Sequence, residues 1–407
     1  MSHSLHPVSR RLLLGAGASL FAWAFAPRAS SAAGQQPEEK RLLVIVLRGG
    51  MDGLAVVPAV GDPAFEAVRL TTPRQQQDLR QGIRPLQDIF ALNAHLPRLE
   101  ALFHAGEAAI LHAVATPSRE RSHFAAQDVL ESGLPAVSGT PSSGWLNRAL
   151  QAMPRGERLR AGFAVAPVVP LIIRGAAPVD TWQPQTFRTA DIDTFERVRQ
   201  LYAASDPVLE QALRRGGETD MLLGTGGDRS GALPGRQAVA ETVNAVVRLM
   251  ARPTGPRIAT MSIDGWDTHI DQGFERGRIA GQLQTLNAVI GALHDGLRPV
   301  WARTVVAIVT EFGRTVHING SAGTDHGTAT VALLLGGSVR GGRVIADWPG
   351  LAPEQLFEQR DLAPTTDLRA VLKGVLAEHL DLPRRALDTD IFPETAGLAP
   401  MTGLIRA

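Results

Sequence analysis

The sequence predicts an α/β fold with a mostly parallel central sheet flanked by helices on both faces, and two patterns predict it. Short runs rich in Val, Ile and Leu are bounded by turn residues, and helical periodicity lies between some of them. The runs are Leu42–Leu47, Ala108–Val114, Ile258–Ile263, Thr304–Thr310 and Ala329–Leu335. None alternates apolar with polar residues, so each reads as a strand covered on both faces, as in a parallel sheet. Phe274, Ile279, Leu283, Leu286, Val289, Ile290 and Leu293 recur at near-helical spacing until Pro299 closes the segment. Strands alternating with helices make a doubly wound sheet, and such sheets bind ligands beyond the carboxyl ends of their strands.

Taken in order, the chain begins with a targeting pattern. A polar, basic stretch ends in Ser9-Arg10-Arg11, an apolar run follows from Leu12 to Ala26, and Ala29-Ser30-Ser31-Ala32-Ala33 suits a signal peptidase. The apolar run is short for a membrane span, which takes roughly 20 residues. Paired arginines directly ahead of it mark the route that exports folded proteins. Residues 1–33 therefore read as a twin-arginine signal peptide, with the twin-arginine translocase as export partner and a periplasmic or secreted destination. A membrane anchor or a buried N-terminal helix is the other reading.

Residues 34–407 then form a single α/β domain. The signal holds three of the 41 Lys and Arg residues and no acid, leaving 38 bases against 40 acids, a net charge of −2. A near-neutral chain has no electrostatic footprint for nucleic acid or an anionic membrane. There is no cysteine, so stability rests on an ordinary core, or on a core with bound metal. No later run approaches membrane length, so no span is expected after cleavage. Residues 165–235, with many prolines and glycines, read as a surface insertion with a flexible loop or, more sharply, as an active-site lid.

The strand ends hold the chemistry. Arg48-Gly49-Gly50-Met51-Asp52-Gly53 follows the first run, and the glycines let Asp52 turn out at the sheet edge as either a ligand or a turn residue. Asp264-Gly265-Trp266-Asp267-Thr268-His269 follows the third, and its carboxylates and imidazole suit a divalent metal with oxygen and nitrogen ligands. Alternatively, Asp267 caps the next helix with His269 on its first turn. Glu311 directly follows the fourth run, where a buried carboxylate needs either a metal or an ion pair with Arg314. Asp325-His326 lies in a Gly-flanked loop ahead of the fifth, and Asp325 is placed to orient the imidazole. Ser122 falls at the N-cap of a helix running from Phe124 towards Glu131 and stopped by Gly133. There the helix dipole favours an anion, and a nearby metal would make the hydroxyl a nucleophile; a plain N-cap serine is the alternative. Arg119 and Arg121 either steady an oxyanion or are solvated. The remaining histidines His95, His104, His112, His294, His317 and His379 lack such neighbours and read as structural or surface residues.

With these segments in view, nearly the whole mature chain resembles the secreted family known as domain of unknown function 1501 (DUF1501). The motifs are LRGGMDGL at Leu47–Leu54, RSHFAAQDVLESG at Arg121–Gly133, GWLNR at Gly144–Arg148, GWDTH at Gly265–His269, TEFGRT at Thr310–Thr315, TDHG at Thr324–Gly327 and PTTD at Pro364–Asp367. Members typically have twin-arginine signals, and the family is distantly similar to the alkaline phosphatase and sulfatase superfamily. The resemblance implies an alkaline-phosphatase-like fold with a one- or two-metal site at the carboxyl edge. Asp52 then matches the first-strand ligand Asp, and Ser122 the hydroxyl or modified nucleophile. Asp267 and His269 resemble the Asp…His ligand pair, Glu311 the Asp ending a later strand, and His326 the final ligand His. The sequence departs where the superfamily has Asp-His and this chain has Glu311-Phe312, and where Asp267 and His269 stand closer together than in the phosphatases.

The expectation is a metal-dependent hydrolase of phosphate or sulfate esters acting on a small-molecule or glycan ester. Ser122 is its nucleophile, and Arg121 or Arg314 steadies transition-state charge. Asp52, Asp267, His269, Glu311, Asp325 and His326 hold one or two divalent ions (Zn, Mn, Ca or Mg). The alternative is a non-catalytic periplasmic binding or scaffold protein that keeps the fold and a structural metal.

Overall fold

The computed structural model describes residues 39–69, 77, 79–137, 139–154, 162–184, 198–199, 201–203, 205–223 and 235–406. The proposed signal peptide lies outside the described residues. From the N-terminal side the elements are β1 (Arg41–Leu47), α1 (Gly53–Val56), α2 (Phe65–Arg69), β2 (Ile83–Gln87), β3 (Phe90–Asn93), α3 (Pro97–His104) and β4 (Ala108–Ala115). They continue with α4 (His123–Ser132), α5 (Trp145–Ala152), β5 (Gly162–Val165), β6 (Val179–Trp182), α6 (Pro207–Leu223), α7 (Gly235–Met250) and β7 (Ile258–Ile263). Last come α8 (Arg278–Gly296), β8 (Thr304–Val309), β9 (Thr330–Leu335), β10 (Arg343–Ile345), β11 (Thr366–Asp367) and α9 (Leu368–Leu380).

The main sheet runs β6-β5-β7-β1-β8-β9-β4-β10, with β11 beside β4. Only β9 is antiparallel to its neighbours, β8 and β4. The mostly parallel α/β architecture predicted by the sequence is the observed one. Every residue of β1 is buried, and its period of two divides them between the faces. Leu43, Ile45 and Leu47 join a core with Leu99 of α3, Val246 of α7 and Leu283 of α8. Leu42, Val44 and Val46 join the opposite core with Leu146 of α5 and Val371 of α9. Both faces of the central strand are thus covered by helices, which is why its sequence shows no alternation.

Register places the strand ends together. Leu47 lies opposite Ile263 of β7, and Val46 opposite Val309 of β8. The segments beginning at Arg48, Asp264 and Thr310 therefore leave the sheet side by side. On the far side, β4 shifts register between Leu111 and Val114, with Ala113 at φ 55°. This bulge is held by the buried His112: its Nδ1 accepts from Ala113 N (2.8 Å) and its Nε2 donates to Val57 O (2.9 Å). Beyond the bulge the chain reaches Thr116, whose hydroxyl donates to Glu311 O (3.2 Å) and directs the chain towards α4.

The helix expected after Ser122 is α4, closed by Gly133 in the left-handed conformation at φ 71°. Within the Pro/Gly-rich stretch, β6 pairs with β5 as an edge strand and Pro207–Leu223 is helical. Residues 185–197, 200, 204 and 224–234 of that stretch lie outside the described residues. Among the described residues no helix is long and apolar enough to cross a membrane.

Candidate metal centre

Four side chains from three segments converge beyond the carboxyl edge of the sheet. His123 opens α4, Asp267 and His269 lie on the loop after β7, and His326 lies on the loop before β9. His123, Asp267 and His326 each offer one ligand atom, and these atoms lie within 4.8 Å of one another. His269 Nε2 adds a fourth donor 3.1 Å from Asp267 Oδ1 and 2.9 Å from His326 Nε2.

The outer nitrogens fix which inner ones are free. His123 Nδ1 donates to Glu311 Oε1 (2.8 Å), His326 Nδ1 to the Arg121 carbonyl (2.7 Å), and His269 Nδ1 to Asp325 Oδ1 (3.3 Å). Carboxylates and carbonyls only accept, so the proton of each neutral ring sits on Nδ1 and the Nε2 lone pair points inward. Two such lone pairs at 2.9 Å repel unless a proton or a metal cation lies between them. The Nε2 of His123 is buried without a hydrogen-bond partner, 3.5 Å from Asp267 Oδ2. Three imidazole nitrogens and a carboxylate, with the far nitrogens held by acceptors, are a donor set that fits a divalent ion.

The surroundings favour the metal-binding forms of Asp267 and His326 and oppose that of His123. Burial pushes the Asp267 carboxyl up, but the hydrogen bond and charge of Arg314, with His269 and His123, outweigh it and hold the group below its ordinary value. Burial likewise raises Glu311, and its bonds from His123, backbone N–H groups and Gln127 bring it below. His123 is raised by its hydrogen bond to Glu311. His326 is lowered by burial, with His123 and Arg314 adding to the effect.

Arg314 is buried, and each of its three nitrogens donates within the protein. It binds Asp267, and it donates to Gly50 O (2.8 Å), Gly49 O (2.8 Å), Thr324 O (3.0 Å) and Trp266 O (3.2 Å). It therefore fixes the carboxylate and ties the three strand-end loops together. Gly49, at φ 122°, is needed there because a Cβ would stand 2.4 Å from Asp267 N. Its own N–H donates to Glu311 Oε1 (2.8 Å).

The other predicted residues are placed as follows. Glu311 is fully buried and holds His123 through the same oxygen. Asp325 orients His269, whereas the sequence pattern paired it with the adjacent His326. Asp52 lies outside the converging group: its buried carboxylate binds Arg69 and accepts from Gln272 Nε2 (2.6 Å) and Leu54 N (3.1 Å). Arg121 donates to Asp361 (2.9 Å) and Glu358 (2.5 Å). Ser122 is the N-cap residue of α4, exposed, with no side-chain cap hydrogen bond. Phe312 packs its ring 4.9 Å from His123 and 4.8 Å from His326.

Two contributors escaped the sequence. His123 was present in the motif around Ser122, but only the fold brings Glu311 to it. Gln272 is fully buried and accepts from the Thr268 and Thr324 hydroxyls, both at 2.6 Å, while donating to Asp52. It pins the loop of Asp267 to the loop of His326.

Several solved structures are similar to this chain. Ps i-CgsB, in a complex with k-i-k-neocarrahexaose, is 11% identical with a TM-score of 0.44, covering 89% of this chain and 77% of its own. The phosphonate monoester hydrolase of Agrobacterium radiobacter is 12% identical with a TM-score of 0.39, over 75% of this chain and 70% of its own. The PsFucS1 sulfatase of a Pseudoalteromonas species is 11% identical with a TM-score of 0.36, over 83% of this chain and 68% of its own. No curated protein matches in sequence. Residues 110–391 match the family described as protein of unknown function (DUF1501), and the chain belongs to that family.

Proposed function

We propose that the chain is an exported metal-dependent hydrolase of phosphate or sulfate esters, with one divalent ion held by His123, Asp267, His269 and His326. The observation that supports it most is the meeting of three inward Nε2 atoms on one carboxylate, each ring held at its outer nitrogen. When bound, the ion supplies a Lewis acid that polarises the ester and acidifies a nearby hydroxyl. Ser122 is the candidate nucleophile, because it directly precedes His123 and its hydroxyl makes no cap bond. The N-terminus of α4 favours an anionic ester at that point. Glu311 keeps the proton on His123 Nδ1, and Arg314 holds Asp267 ionised. Zn, Mn, Ca or Mg is the candidate ion, and the twin-arginine route takes the folded chain to the periplasm.

The test is elemental analysis of wild type and Asp267→Ala, followed by a phosphate- and sulfate-ester screen of wild type and Ser122→Ala. Stoichiometric metal lost in the first variant and hydrolysis lost in the second support the reading. Wild type without metal would remove it, and the binding-protein alternative would stand. Phe312 favours that alternative, because the ring beside His123 and His326 cannot bind a metal.

A further inference from the structure

We propose that a cavity beside the metal centre binds a neutral sugar ring, the alcohol part of the ester; this rests on the hydrolase reading above. The cavity has a volume of about 460 Å³ and opens between α4 and the carboxyl ends of β1, β5 and β7. That is within the range of small-molecule pockets, roughly 300–1,000 Å³.

It shares two walls with the metal centre. His123, Gln127 and Glu131 recur at four-residue spacing on one face of α4. The first belongs to the centre and the last two line the cavity, while Gln127 also donates to Glu311 (3.3 Å). Asp264, another lining residue, stands three positions ahead of Asp267 on the same loop. A group seated here lies next to the ester rather than at a remote site.

The lining sets the ligand class. Asp128 and Asp264 have no hydrogen-bond or ion-pair partner among the described residues, and each can only accept. Arg48 is aimed by Glu131, which takes its Nη2 at 2.6 Å, while its Nε is buried without a partner. Arg174 adds a second guanidinium to the lining. Free acceptors beside free donors match hydroxyl groups, which do both. Val168, Pro170 and Leu171 supply an apolar surface for the C–H face of a ring. Three carboxylates against two guanidinium groups disfavour a second anion.

The test measures binding, not turnover. Glucose, galactose, mannose, N-acetylglucosamine and the anionic glucuronate are titrated by saturation-transfer NMR into wild type, Arg174→Ala and the double variant Asp128→Ala/Asp264→Ala. Uptake of zinc, manganese, calcium and magnesium by the same samples is measured in parallel. At least one neutral sugar is expected to bind at about millimolar Kd, with about tenfold weakening in the double variant and unchanged zinc uptake. No neutral sugar bound at about 50 mM, equal binding by the double variant, or tighter binding of glucuronate would each overturn the proposal. Sugar binding without uptake of zinc, manganese, calcium or magnesium would uphold the cavity and sink the hydrolase reading, so the two fail separately.

Discussion

His269 and His326 face each other through their Nε2 atoms at 2.9 Å, each within 3.3 Å of the same oxygen of Asp267. Neither ring can turn away, because its other nitrogen is held by Asp325 or by the Arg121 carbonyl. The expected result of titrating metal-free protein with zinc is one ion per chain, with uptake lost in His326→Ala and sharply reduced in His269→Ala. Isothermal calorimetry reads both.

Glu311→Gln removes the carboxylate that keeps the proton on His123 Nδ1 while retaining the side-chain volume. Metal affinity should fall by about 10–100-fold, less than on loss of His123 itself. Competition with a chelator of known affinity measures it, and an unchanged affinity would show that Glu311 serves the fold alone.

Gln272→Leu leaves two buried threonine hydroxyls without their acceptor and deprives Asp52 of one donor. Unsatisfied buried groups cost about 1–3 kcal/mol each, so a loss of roughly 3 kcal/mol is expected in urea unfolding. Because the same amide joins two loops of the metal centre, zinc affinity should fall as well.

Gly49→Ala forces a side chain into a φ of 122° and against the Asp267 backbone at 2.4 Å. Metal uptake should be lost or strongly weakened, with the far-UV spectrum retained, since the clash lies at the strand ends and not in the sheet. Retained uptake would show that the loop after β7 can move aside.

Stability should fall in mild acid because two histidines are buried as neutral rings. Burial brings both His112 and His379 down from 6.5 to about 4. Between those values the unfolded chain binds protons that the folded chain refuses, so the contribution of these two rings declines from pH 6.5 to about 4 and then levels. Each group contributes on the order of 3 kcal/mol across that window. Urea unfolding of wild type and His379→Gln at about pH 5 and pH 7 checks the sign: the variant should lose less on acidification.

The strands most visible in the sequence are those buried on both faces. Leu42–Leu47, Ile258–Ile263 and Thr304–Thr310 all match observed strands to within a residue. Short edge strands such as β6 and β10 left no comparable pattern, because with few residues and partial exposure they show no clear periodicity. At the site, Asp267, His269 and His326 were legible as polar residues ending or preceding buried strands. His123 was not, because the bond that defines it spans 188 residues to Glu311. The charge at Asp52 was legible and its partner was not: Arg69 occupies that carboxylate from a helix with no motif of its own.

The antiparallel strand β9 has a consequence for how the centre is assembled. Because β8 and β9 pair as neighbours in sequence, the excursion between them is closed locally by the bridge from Arg314 to His326. Glu311, Arg314, Asp325 and His326 thus belong to a unit of short-range contacts, which form early in folding. His123 comes from across the chain, on the segment that leaves β4, which lies between β9 and β10. The centre joins a locally closed unit to two parts of the chain brought in by the sheet, so holding an ion requires all three to be docked.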